Sequence, residues 1–340
     1  MSTLEVREVD AHEPAFEDYH AVYVAAVRHG PSGEFATPWQ LEEARSALAD
    51  PDQRTVRRAW VGLLGGRAVA TGWLEGSTVD NTGVASVRVT CHPAHRGHGY
   101  GAELLAHVEG EARSLGRARL LAEVEWPYAG GADGAASTDL AWARRHGYEL
   151  GLVDVQRRLE LPVPDAVLDE LAAEAATHHA GYELRSFSGR VPDDLVEAWA
   201  VLTASIDTEA PTGDIEREAT TVDVSAVRAL EELVARQGRE KVNTVAIAPD
   251  GDVVAYSDVA VTVHESERAY QWGTLVRADH RGHRLGLAVK VANLRLLRQT
   301  HPQVTTVVTY NAEVNGPMIA VNERLGFRPV QWLGELQKRL

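Results

Sequence analysis

The chain carries one pattern twice. Residues 92–116, HPAHRGHGYGAELLAHVEGEARSLG, return in altered form at 277–300 as RADHRGHRLGLAVKVANLRLLRQT. His95-Arg96-Gly97-His98 is answered by His280-Arg281-Gly282-His283, 185 residues later. Two further landmarks keep nearly that spacing: LEVR at 4–7 comes back as YELR at 182–185, and HGYE at 146–149 as LGFR at 325–328. Self-similarity at one long period means two copies of one supersecondary design, so one architecture is read once and applied twice. The length agrees, because 340 residues exceed what a single hydrophobic core usually organises. The join is expected where Pro162 and Pro164 open an Ala/Glu/Asp-rich helical stretch. That places an N-terminal domain over 1–161, a linker helix over 162–180 and a C-terminal domain over 181–340.

Periodicity and breakers predict the same order of elements in each copy. In the first, a strand at 4–9 and helices at 15–29 and 39–49 precede two strands within 59–77, joined by Gly65-Gly66, a dipeptide suited to the positive φ of a tight hairpin. A strand at 84–92 runs into the glycine loop. Leu104, Leu105, Val108, Ala112 and Leu115 then fall on one helical face, and Gly116 stops the helix. A strand at 118–125, a last helix and two closing strands within 146–161 complete the copy. The second copy is expected to have strands at 182–187, 270–277, 304–310 and near 329, helices at 193–205, 287–299 and 317–325, and a hairpin at Asp250-Gly251. The fold class is mixed α/β, an α+β sheet in duplicate.

Charge narrows the partners. With 49 acidic and 34 basic residues the formal charge is -15, a field that repels nucleic-acid phosphate and anionic lipid and suits a cationic small molecule. Aminosugars, polyamines and amino-acid derivatives all fit that description. One cysteine, Cys91, permits no internal disulfide, and MSTLEVREVD resembles neither a secretory signal nor a transit helix, so a cytoplasmic protein is expected. No apolar run approaches the ~20 residues of a membrane span.

The run Arg96-Gly97-His98-Gly99-Tyr100-Gly101 lies between a strand and a helix. Unpaired N–H groups at a helix N-terminus bind anions, and missing side chains let the backbone approach phosphate oxygens, so a pyrophosphate suits the loop. Gly97, Gly99 and Ala102, with Glu123 about 20 residues on, also satisfy a dinucleotide fingerprint. Against it, residues 92–96 separate the strand from the first glycine, and the second copy breaks the pattern. No Gly-Lys-Ser/Thr follows, which leaves a P-loop unsupported.

These residues resemble the GNAT acyltransferases. Their signature is a strand ending in V-x-P and then Arg-Gly-x-Gly-x-Gly/Ala opening a long helix, matched here by Cys91-His92-Pro93 and Arg96–Gly101. A second signature, Asn seven residues before a Tyr with Gly-Phe four residues further, is similar to Asn315, Asn322 and Gly326-Phe327. The resemblance covers both copies and implies a tandem GNAT protein using acetyl-CoA as co-substrate for a small-molecule amine. It implies that strands 87–91 and 272–276 splay from the next strand and that pantetheine lies in the gap, against Val89, Cys91, Thr274 and Val276. The pyrophosphate would rest on Arg96, Gly97, His98, Gly99, Tyr100 and Gly101, and on Arg281, Gly282, His283 and Gly286.

Both copies depart from the pattern. The first has Ala136 and Ala143 in place of the paired Asn and the Tyr, and the second has Asn322 at the Tyr and Arg284 in place of Gly99. The family's Tyr that protonates the departing thiolate is thus missing from its place twice. For chemistry the candidates are Glu125, Tyr310 and Asn315, with Glu75 and Glu123 as further carboxylates able to take the amine's proton. A strand-end glutamate is more commonly solvated, and Tyr310 suits a packing role equally well. His92, His95 and His98 lack a carboxylate to complete a metal set, and Cys91 lacks a base to make it a nucleophile. No metal is expected. Two alternatives to catalysis of this kind are a non-catalytic acyl-CoA-binding or sensing protein and an aminoacyl-tRNA-dependent transferase on the same fold.

Overall fold

In the computed structural model the described residues are 4–30, 33–215 and 218–340. In chain order the elements are β1 (Glu5–Val9), α1 (Ala15–Val27), α2 (Leu41–Leu48), β2 (Thr55–Leu64), β3 (Arg67–Ser77), β4 (Val84–Cys91), α3 (Tyr100–Ser114), β5 (Arg119–Pro127), α4 (Thr138–Arg145) and β6 (Glu149–Glu160). There follow α5 (Asp165–Ala176), β7 (Glu183–Ser188), α6 (Val196–Ala204), α7 (Ile206–Glu209), α8 (Val224–Arg236), β8 (Arg239–Ile247), β9 (Val253–Thr262), β10 (Arg268–Val276), α9 (Leu285–Thr300), β11 (Thr306–Ala312), α10 (Gly316–Leu325) and β12 (Arg328–Arg339). The mixed α/β class and its duplication are both present.

Chain contacts divide the molecule into two compact units that are not consecutive halves. Unit 1 comprises Met1–Val153, Gly213–Glu216 and Gln331–Leu340, and unit 2 comprises Asp154–Thr212 and Arg217–Val330. The strand order is β1-β2-β3-β4-β5-β12 in unit 1 and β7-β8-β9-β10-β11-β6 in unit 2. The last strand of the chain therefore completes the first unit, antiparallel to β5 from Gln331↔Pro127 to Arg339↔Arg119. In exchange, β6 completes the second, antiparallel to β11 from Thr306↔Glu160 to Ala312↔Asp154.

Two expectations change accordingly. Residues 162–180 are no linker, because α5 buries Leu168, Leu171 and Ala175 in the unit 2 core together with Leu287, Ala288 and Val291 of α9. Residues 149–160 form one strand of twelve residues where two closing strands were expected. Gly151 invites a break there, but its role is close approach. A Cβ at that position would come within 2.4 Å of Ile215 Cδ1, and Asp214 N donates to Gly151 O at 2.9 Å.

Within unit 1, Phe16, Tyr19, Val22, Tyr23 and Ala26 recur at helical spacing and form the buried face of α1. On the opposite side of the sheet α3 buries Leu104, Leu105, Val108 and Ala112, each large side chain contributing roughly 1.5–3 kcal/mol. Leu115, expected on that face, is the helix C-cap and 37% exposed. Arg117, 6% exposed, then donates through Nη1 to Ser77 O and Thr82 O at 2.6 and 2.5 Å, tying the turn that launches β4 to the end of α3. The incoming β12 is fastened by Lys338, whose Nζ lies 2.6 Å from Glu109 of α3, a carboxylate that also accepts from Tyr148 Oη at 3.2 Å.

The strand exchange makes a local forecast. A Cβ at Gly334 would lie 2.8 Å from Leu150 Cδ1 and Trp126 Cζ3. Gly334→Val should cost about 1–3 kcal/mol by overpacking, measured by denaturant unfolding. Amide exchange should accelerate first in 119–127, the strand that β12 pairs, whereas acceleration confined to unit 2 would contradict the exchange.

Candidate active site

In unit 1, β4 runs parallel to β5 for three residues only, Val84↔Arg119, Ala85↔Leu120 and Ser86↔Leu121, and then leaves it. On its other edge it stays with β3 as far as Cys91↔Ala70. From Val87 onward the β5-facing N–H and C=O groups of β4 have no strand partner among the described residues, a row of backbone groups that a ligand's amides can satisfy. Val89 and Cys91 both lie on this free stretch. Cys91 is half-buried, and burial pushes its thiol up against the pull of Arg96.

The loop that follows turns into α3 through two left-handed glycines, Gly97 at φ +80° and Gly99 at φ +89°, with Gly99 as N-cap. A Cβ at either would meet nothing within 4 Å. Among the described residues the five N–H groups from Gly97 to Gly101 donate to no backbone or side-chain acceptor, and they sit at the positive end of a 15-residue helix. That open cradle of amides fits a diphosphate. Arg96 braces it: Nε reaches Cys91 O and Nη2 reaches Ala26 O at the end of α1, both at 3.4 Å. His98 Nδ1 lies 2.9 Å from Arg96 O, and its ring stacks on Tyr100 at 5.8 Å.

Of the carboxylate candidates, Glu123 and Glu125 alternate along β5 beyond the point where β4 departs. Continuing the register past Ser86↔Leu121 sets Arg88 level with Glu123 and Thr90 level with Glu125, on one face of the sheet. It is the α1 face, because the Arg88 guanidinium lies 4.3 Å from the Tyr23 ring centroid and 3.5 Å from Tyr19 Oη. Glu75 is engaged elsewhere, in an ion pair with Arg57 at 3.0 Å. Sequence reasoning passed over Arg88, although a lone charge inside VASVRVTC was a signal.

Unit 2 repeats the splay and fills it differently. β10 pairs with β11 as far as Gln271↔Thr309, and a bulge at Trp272 separates it, leaving Thr274 and Val276 on the free stretch. Its loop has Gly282 at φ +89°, while Arg284 takes the left-handed N-cap position at φ +54°, a conformation costing roughly 1–2 kcal/mol outside glycine. The chain's own carboxylates hold this loop. Arg284 pairs with Glu174 of α5 at 2.6 Å, and Arg281 pairs with Glu209 of α7 at 2.7 Å. Glu209 also accepts from Ala278 N at 3.3 Å, and His283 Nδ1 lies 3.1 Å from His178 O. Gly286 packs on Val276, with 3.5 Å from a Cβ to Val276 Cγ2.

The three catalytic candidates do not assemble within one unit. Glu125 belongs to unit 1, Tyr310 and Asn315 to unit 2. Tyr310 Oη accepts from Gln156 Nε2 at 2.5 Å, and Asn315 Oδ1 caps α10 through Met318 N at 3.3 Å. At the two places of the absent Tyr, Ala143 is buried in unit 1, and Asn322 is fully buried in unit 2, donating to Asn311 Oδ1. Among the described residues no three His, Cys, Asp or Glu side chains are placed to hold a metal ion, and no helix is long and apolar enough to cross a membrane.

A profile of the acetyltransferase (GNAT) family matches residues 24–127, from within α1 to the end of β5. Among solved structures, a tandem GNAT protein from the clavulanic acid biosynthesis pathway, determined without AcCoA, is 27% identical over 99% of this chain and 98% of its own, with a TM-score of 0.80. A GCN5-related N-acetyltransferase from Sphaerobacter thermophilus is 17% identical over 99% and 95%, with a TM-score of 0.65. A putative acetyltransferase from Pyrococcus horikoshii is 13% identical over 100% and 90%, with a TM-score of 0.57. The latter two are likenesses of fold. No curated protein sequence matches the chain.

One further difference between the copies makes a pH forecast. Lys290 of α9 stands where α3 has Leu105, is 2% exposed, and lies 5.3 Å from the Phe327 ring centroid. Burial pushes its ammonium down to about 7, against the attraction of Asp258, from an ordinary 10.5. Between those values the unfolded chain holds a proton that the folded chain lacks, so stability rises with pH from about 7 to about 10 and the contribution is lost again on descending. Lys290→Met should remove that rise and stabilise the protein at pH 7 by up to ~4 kcal/mol, read from paired denaturation curves across pH.

Proposed function

We propose a function for what this chain is, a tandem protein of the GNAT superfamily: transfer of an acyl group, acetyl foremost, from a CoA thioester to the amine of a small molecule, performed in unit 1. The observation that carries this reading is the coincidence, in unit 1, of a parted strand pair with a loop of left-handed glycines whose N–H groups have no acceptor and whose Arg96 pairs with no carboxylate among the described residues. The family profile falls on the same unit. In unit 2 the equivalent loop is pinned by Glu174 and Glu209, which favours a structural or regulatory part for it.

In this reading the N–H groups of Gly97–Gly101 take the diphosphate with help from the α3 dipole. The free edge of β4 from Val87 to Cys91 pairs with the pantetheine amides and holds the thioester at the α1 face. Glu125, directly or through one water, accepts the ammonium proton so that the amine lone pair attacks the thioester carbonyl carbon. The C–S bond breaks, the amide forms, and the departing thiolate takes its proton from solvent, because Ala143 and Asn322 offer none where the family keeps its Tyr.

Titration calorimetry with acetyl-CoA should find one tight site per chain. Gly99→Glu should abolish it by clash and like-charge repulsion, and Gly286→Glu should leave it; the reverse pattern would move the donor site to unit 2. Glu125→Gln should lower kcat about 10²-fold or more in a thiol-release assay across an amine panel. Tight binding without thiol release for any amine would support the sensing alternative instead.

A further inference from the structure

The acyl-transfer reading leaves the acceptor open among amine classes, and the α1 face of unit 1 narrows it. Arg88 is the charged residue on the free stretch of β4, two residues past the last β4–β5 pair. It is half-buried, and no ion pair fixes it: among the described residues its five N–H groups have one hydrogen bond, the long one to Tyr19 Oη at 3.5 Å. Its guanidinium is nevertheless held in place, 4.3 Å from the Tyr23 ring centroid and 5.9 Å from that of Trp73. Burial works against the charge, and Tyr23, Tyr19 and Glu123 more than offset it, so the group stays cationic throughout the physiological range.

An oriented guanidinium with donors to spare is a site for a planar anion, which it engages through two parallel hydrogen bonds. Across the gap, at the same level and on the same face, stands the carboxylate wall of Glu123 and Glu125. One side of the opening thus carries a guanidinium and the other two carboxylates, which also have partners within the chain. A polyamine or an aminosugar without a carboxylate complements the two glutamates alone and meets repulsion at Arg88, whereas a zwitterion complements both.

Resting on the acyl-transfer reading, we infer that the acceptor carries a carboxylate as well as its amine, an amino-acid-like molecule whose carboxylate docks on Arg88 while its ammonium faces Glu123 and Glu125. Unit 2 has no counterpart. The position 185 residues on is Gly273, where a Cβ would lie 2.5 Å from Tyr256 Oη and 3.0 Å from Asp258 Oδ1, a place already filled and holding the Lys241–Asp258 ion pair. This asymmetry puts the discriminating group in the unit proposed for chemistry.

The test uses matched pairs: lysine with cadaverine, phenylalanine with phenethylamine, β-alanine with ethylamine, each with acetyl-CoA and the full-length protein. The carboxylate-bearing member of at least one pair should show a kcat/KM at least tenfold above its decarboxylated partner. Arg88→Met, of similar length and without charge, should bring that ratio to about one, mainly through KM, and Arg88→Lys should restore part of it. A wild-type ratio of one or below in every pair, or a ratio that survives in Arg88→Met while overall activity falls, overturns the inference and leaves Arg88 a packing role. If no amine is acetylated, the transfer reading fails by itself. Calorimetry of the same pairs into the CoA-saturated protein then decides: carboxylate-dependent binding lost in Arg88→Met upholds the docking, and its absence in wild type rejects it.

Discussion

Parting two parallel strands is the constraint on which the rest depends. β4 gives up its ladder with β5 after Ser86 yet stays in the sheet, because β3 holds its other edge to Cys91. Unpaired backbone groups are costly when they are also cut off from water, so such a wedge persists only where solvent or a ligand reaches it. The devices that hold it open lie at its two ends. Arg117 secures the turn before β4 through three carbonyls, and Arg96 ties the loop after it to Cys91 O and to the end of α1.

The same constraint, inherited twice, has been put to different use. In unit 2 the bulge on the β9 edge of β10 is stitched by Gln271, which donates to Asp258 O and Gly273 O at 2.6 and 2.7 Å. Its α6 face is filled by Trp199, Tyr256 and the buried Lys241–Asp258 pair, and its loop is neutralised by carboxylates from α5 and α7. At the corresponding places unit 1 has two left-handed glycines and an Arg88 held by no ion pair among the described residues. Divergence thus works chiefly through side chains laid on a shared backbone device.

Much of this is legible in the sequence. The 185-residue echo marked the duplication, the glycines of Arg96–Gly101 marked the anion cradle, and helical spacing marked the buried faces of α1 and α3. Arg88 was visible and not valued, because a single charge in an apolar strand has no meaning until its neighbours are known. Asn315 fitted a catalytic signature, and the structure uses its side-chain oxygen to cap α10. Helix α8 has a clear apolar stripe, yet it falls in a stretch where the two copies share no landmark.

By itself the sequence determined the local and periodic facts: two copies, most of their elements, glycines at positive φ in the loops, and an amide-rich helix start in each. These depend on residues near one another in the chain, and local sterics decide them. Only the tertiary structure decided that β12 completes unit 1 and β6 completes unit 2, that α5 is core, that Glu174 and Glu209 pair with the arginines of one loop, and that Arg88 lies on the α1 face beside Tyr19 and Tyr23. Those are contacts between residues tens to hundreds apart, chosen by which apolar faces and charges find partners when the chain packs. No local pattern encodes that choice.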